Sequence, residues 1–163
     1  MKLISLFKKE LGTLCAPLTL IGAGAGLAAG LITMIACGNL YLYRLLLLPR
    51  HAPPSFLFFF GYLLVLLLLG GCAGLMYAGR CRKKSGVFHL LTAAFVLLWY
   101  VAFMRTASFV FSVIMLLCAA VMLFFASAEA IEKRRLIAAV GSVLAGLLIV
   151  ADLFLTVSVI LLN

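Results

Sequence analysis

Long uncharged runs alternate along the chain with short charged clusters. Residues 11–43, 52–79, 85–104 and 106–128 carry no Asp, Glu, Lys or Arg, and 136–163 carries only Asp152. A helix crosses about 30 Å of hydrocarbon with about 20 residues, at 1.5 Å each. Every run is long enough for one span, the third only just. A single helix over 87–128 would be about twice as long as a bilayer is thick, an excess that tilt does not absorb. The chain must break inside that stretch, and Met104-Arg105-Thr106-Ala107-Ser108 is the polar segment available for a turn. The pattern predicts an all-α integral membrane protein, one domain built as a bundle of five transmembrane helices over about 12–41, 55–79, 86–104, 106–128 and 135–161.

Composition sharpens this reading. Of 163 residues 67% are apolar and 10% charged, where soluble domains carry roughly a quarter charged residues. So few charges cannot solvate the surface of a water-soluble domain, which excludes a soluble enzyme. The net charge of +9 does not point to nucleic acid, because the bases lie in clusters between apolar runs and not on a polar face. Five spans place 10 Lys and Arg on one side and 3, namely Arg44, Arg50 and Arg105, on the other. That bias predicts a cytoplasmic N-terminus and an external C-terminus, in a bacterial cytoplasmic membrane. The first apolar run is much longer than a signal-peptide core, so it is expected to be retained as a span.

Helices in lipid associate through close packing and interhelical polar contacts. Gly22, Gly26 and Gly30 form a doubled G-x-x-x-G in the first span, Gly70 and Gly74 repeat the spacing in the second, and Ala138, Ser142 and Gly146 make a looser stripe in the fifth. These read as packing faces, serving within one bundle or between two copies as a homodimer. Cys15, Cys37, Cys72 and Cys118 sit in apolar runs and read as small buried hydrophobes, whereas Cys81 lies between Arg80 and Arg82. Glu129 with Lys133 and Glu132 with Arg135 have the spacing of solvated helix-surface pairs. Trp99 and Tyr100, near the end of the third span, have the placement of an interfacial aromatic belt. His51 and His89 fall on opposite sides of the membrane, which argues against a shared metal site.

Two features carry candidate chemistry. The connection after the first span holds Pro49, Pro53 and Pro54 within six residues and cannot continue a helix, so it is either a stiff spacer or a binding lid. Asp152 is the single acid inside a span, and an intramembrane carboxyl is functional, or a protonated acid, or structurally paired with Arg105; Arg44, Arg50, His51 and Arg105 are the bases on its side. Leu148, Asp152 and Thr156 recur at i+4 and share one helix face. No catalytic triad, phosphate loop or pair of carboxylates is present in the spans, and catalysis is not indicated.

Five spans in this length, with Pro49-Arg50-His51-Ala52-Pro53-Pro54 after the first, Phe58, Tyr62 and Gly70 behind it, and Trp99 with Phe103 in the third span, resemble the TspO/MBR family. These are the tryptophan-rich sensory proteins and the translocator or peripheral-type benzodiazepine receptor. His51, Val96 and Leu148 stand where the family pattern has Trp, Asn and Trp. The resemblance implies a pocket enclosed by the five spans and capped by the first loop. It implies ligand contacts from His51, Pro53, Pro54, Tyr62, Trp99, Phe103 and Asp152, and a porphyrin or sterol-like ligand with no required cofactor. The expected function is binding, or helping to move, a hydrophobic molecule. The alternative is a structural or partner-interaction membrane protein that has lost the pocket. An ion-coupled transporter using Asp152 would be expected to show inverted repeats, which the sequence lacks.

Overall fold

The computed structural model describes residues 14–37, 43, 48–50, 52–78 and 83–162. Over these it is an all-α bundle of five helices, each long and apolar enough to cross a membrane: α1 Pro17–Cys37, α2 Ser55–Ala78, α3 Lys83–Met104, α4 Phe109–Glu132 and α5 Leu136–Leu162. The all-α five-helix class read from the uncharged runs is thus the architecture found; the span ends expected at 12, 41 and 79 lie outside the described residues, and those of the last two spans differ by one to four residues.

Local chemistry sets those boundaries. Pro17 stands at the first turn of α1, where its missing N–H is no loss, and the carbonyl of Ala16 accepts from Thr19 and Leu20. Pro54 plays the same capping role for α2, accepting from Leu57 and Phe58. The break expected at Arg105 is present: α3 ends at Met104 and α4 begins at Phe109. With no glycine available, Ala107 takes the left-handed conformation (φ 48), at a cost of about 1 kcal/mol. The turn from α4 to α5 is tighter still. Arg134 (φ 54) occupies the position glycine favours, its N–H bonding Ile131 O at 2.9 Å while Arg135 N–H bonds Ala130 O at 2.8 Å. Three consecutive basic residues there sit favourably at the negative end of the α4 dipole. Lys133, expected to pair with Glu129, pairs with a nearer acid. Lys133 Nζ meets Glu132 Oε1 at 3.3 Å, although the Lys133 N–H still bonds Glu129 O at 3.0 Å on the helical path.

Helix α2 is the hub. It packs against α1, α3 and α5, while α3–α4 and α4–α5 close a four-helix ring, and α1 rides on the outside of α2 with only a slight touch on α3. The glycines explain why α1 can lie so close. A Cβ on Gly22 would strike the Gly70 carbonyl, one on Gly26 the Leu66 carbonyl, and one on Gly74 would sit 2.7 Å from Thr19 Cα. Backbone meets backbone along this seam, so the two glycine strips are occupied by each other within one chain. A homodimer through these same faces would have to open the pair.

The ring is filled differently at its two ends. Near the α2–α3 connection and the α4–α5 turn, the basic end, the interior is made of small groups: Ala130, Ala138 and Ala139 around Met76. At the other end, under the first loop, it is packed with rings from Tyr43, Phe58, Tyr62, Trp99, Tyr100 and Phe103.

Candidate functional site

The first loop is built onto the bundle by its own backbone. Ala52 N–H bonds Pro49 O at 2.9 Å, closing a turn over Pro49–Ala52. Pro53 and Pro54 then deliver the chain directly into α2. Tyr43 holds this arrangement from behind: its hydroxyl donates to Pro53 O at 2.7 Å, and its ring stacks on Phe58 with centroids 4.7 Å apart. Burial first, and then the negative charge of nearby Asp152, push the Tyr43 phenol up to about 12. The group therefore stays protonated and keeps donating through the neutral range.

Beneath this loop lies a cavity of about 310 Å³, walled by Pro49, Ala52 and Pro53 on one side and by Asp152 and Leu155 of α5 on the other. Ala151 and Phe154 form its open edge, and both are exposed on the outer face of α5. Asp152 is half-buried and, among the described residues, is the one charged side chain in the lining. No described base reaches its carboxylate. Arg105, one of the partners expected from sequence, is exposed, and so is Arg50. The turn carrying Asp152 is fixed from inside the bundle: Trp99 Nε1–H donates to Thr156 Oγ1 at 3.2 Å, and the Thr156 hydroxyl donates to the backbone oxygen of Asp152 at 2.7 Å. The face predicted to carry Leu148, Asp152 and Thr156 does turn inward, with Leu148 packed on the core and Thr156 fully buried.

The seven residues singled out from sequence do not converge on one space. Pro53 and Asp152 line the cavity. Pro54 is exposed, and His51 lies outside the described residues. Tyr62, Trp99 and Phe103 are fully buried behind the cavity wall. Tyr62 stacks on Tyr100 at 4.2 Å, and Trp99 lies 5.9 Å from both Phe58 and Phe103. Two expectations are corrected here. The centre of the bundle is a solid aromatic packing, so the space under the loop is a lateral cavity between loop and α5, not one enclosed by five spans. Trp99 is likewise no interfacial belt residue: it is core, because Thr156 offers its indole N–H the partner a buried Trp needs.

No family model matches the chain, and no curated protein and no solved structure is similar to it. The TspO/MBR resemblance rests on the sequence pattern alone.

Two further spaces flank α1. One of about 390 Å³ runs between α1, α2 and α3 over Gly22, Ala25, Gly26, Ala93 and Ala94, and another of about 240 Å³ lies between α1, α2 and α5. Both have almost wholly apolar walls. Deeper in, fully buried His89 places Nε2 2.9 Å from Ser142 Oγ, whose hydroxyl donates to Ala138 O at 2.7 Å. With its single proton so used, Ser142 accepts from His89, which fixes the Nε2–H tautomer. This polar clamp between α3 and α5 was not singled out from sequence. Its signal was present all the same, since a His inside an apolar span requires a polar partner on a neighbouring helix. Among the described residues no three His, Cys, Asp or Glu gather to hold a metal.

Proposed function

We propose that this is a TspO-like, non-catalytic membrane protein that binds a hydrophobic small molecule, or helps it move, beneath its first inter-helix loop. The observation that carries this reading is the 310 Å³ cavity between Pro49–Pro53 and the Asp152 turn. Its size lies at the lower end of the range for small-molecule sites, and its apolar walls with one charged group have the composition of such sites. Pro53 and Asp152 are its contact residues and His51 is carried by the capping loop. Tyr62, Trp99 and Phe103 form the rigid packing that positions the α5 wall. Among the described residues no second acid, base or nucleophile lines the cavity beside the Asp152 carboxylate, an arrangement that suits binding. The positive-inside bias puts this loop on the external side, with the N-terminus cytoplasmic.

Trp99 is the only Trp in the chain and is bonded to the Asp152 turn through Thr156, so its fluorescence reports on the site. Purified protein in nanodiscs is titrated with protoporphyrin, a sterol and the small neutral probe tert-butylbenzene. Saturable change with at least one of them is expected, weakened by Ala52→Leu, which fills the cavity from the loop side. Absence of saturation with all three overturns the reading.

A second reading, a structural or partner-interaction membrane protein, draws on a different observation: the centre of the bundle is filled by aromatic rings. It gains if no probe saturates.

A further inference from the structure

We infer that the molecule taken up beneath the first loop is a hydrophobic cation, a protonated or quaternary amine on an apolar body. This rests on the proposed binding site and names the chemistry of its ligand. Asp152 faces the cavity between apolar walls, and no described base comes to its carboxylate: Arg50 and Arg105 are exposed and Lys133 bridges Glu132 at the opposite end. A carboxylate set among apolar groups at membrane depth is costly to leave unpaired, so the site gains most from a ligand that brings the missing positive charge.

Two more features fit this ligand. The Thr156 and Trp99 bonds hold the Asp152 turn in place, so the carboxylate is presented without reorganisation. The open edge at Ala151 and Phe154 lies on the apolar outer face of α5. Amphiphilic amines concentrate at the membrane interface, where they would meet this edge directly. The same charge disfavours a ligand that carries carboxylates of its own, which sets protoporphyrin behind an amine of comparable apolar area.

The test compares three probes of nearly one shape: phenyltrimethylammonium, its neutral isostere tert-butylbenzene and the anion benzenesulfonate. Each is titrated into the full-length protein in neutral-lipid nanodiscs, following Trp99 fluorescence. The cation is expected to bind about tenfold or more tightly than the neutral isostere, with the anion weakest. Asp152→Asn is expected to bring cation and isostere to within about twofold of each other. Equal binding of cation and isostere to the wild type overturns the charge assignment and leaves the cavity reading standing, as does a preference that survives Asp152→Asn. No saturation by any of the three overturns the charge assignment, and the cavity reading falls with it when protoporphyrin and the sterol also fail to saturate. The wild-type ratio decides the matter even if the variant does not fold.

Discussion

The α1–α2 seam and the aromatic packing under the first loop are both tight, for opposite reasons. Along the seam nothing stands between two backbones: Gly22, Gly26, Gly70 and Gly74 leave no side chain to yield. Under the loop everything is side chain, with Phe58, Tyr62, Trp99 and Phe103 interlocked across α2 and α3. In lipid neither gains from removing apolar surface from water, so both hold by contact. The seam fails when an atom is added, and the aromatic packing when atoms are taken away.

The largest effect is expected from adding bulk to the seam. Gly70→Leu should destabilise the bundle by about 4 kcal/mol, since the Gly22 backbone cannot move aside without taking α1 with it. Gly24→Leu is the control. Gly24 is exposed and its Cβ would meet nothing within 4 Å, so the change should be neutral or slightly stabilising through helix propensity, by up to about 0.5 kcal/mol. Circular dichroism during titration of mixed micelles with SDS measures both. Equal losses at Gly70 and Gly24 would mean that the seam is not the contact that holds α1.

Taking atoms from the aromatic packing comes next. Trp99→Ala should cost about 3–5 kcal/mol in the same titration, because lipid cannot reach the space it leaves. Trp99→Phe should cost only about 1 kcal/mol, the hydrogen bond to Thr156, with most of the ring contact kept. A Trp99→Ala loss no larger than that of Trp99→Phe would mean that the rings do not bear on one another as their centroids indicate.

The two regions also differ in how far the sequence revealed them. Glycines at i, i+4 have one use in an apolar helix, the close approach of another backbone, so Gly22–Gly26 and Gly70–Gly74 announced the seam. The turn at Arg105 was legible from length alone, although not that Ala107 would supply the left-handed residue. Aromatic residues carry no such directional message. Trp99 near a span end fits a belt as well as a core, and only the position of Thr156 on another helix decides between them. The same limit applies to the site. The i+4 recurrence of Leu148, Asp152 and Thr156 gave the inward face, whereas the division of space between loop and bundle depends on how large rings pack, which spacing does not encode. Tyr43, which ties the loop through Pro53 O, ends the first uncharged run, where nothing in the sequence points to a partner ten residues on, and its role became visible only through its hydrogen bond.

Within the aromatic region one group departs from the rule that removing atoms weakens the packing. Among the described residues the Tyr62 hydroxyl is buried with no partner at hydrogen-bond distance. Thr33, which approaches it from α1, gives its own proton to Ala29 O at 2.8 Å. A buried hydroxyl without a partner is a liability, whereas the ring beneath it, stacked on Tyr100 at 4.2 Å, is an asset. Tyr62→Phe removes the first and keeps the second. Stability in the SDS titration should therefore change by no more than about 0.5 kcal/mol, with the shift toward stabilisation. A loss above about 1 kcal/mol would show that the hydroxyl is satisfied in the membrane, with Thr33 rotated to meet it. The Thr33→Val variant would then reproduce most of that loss, and α1 would be joined to the aromatic packing by a polar contact as well as to α2 by its glycines.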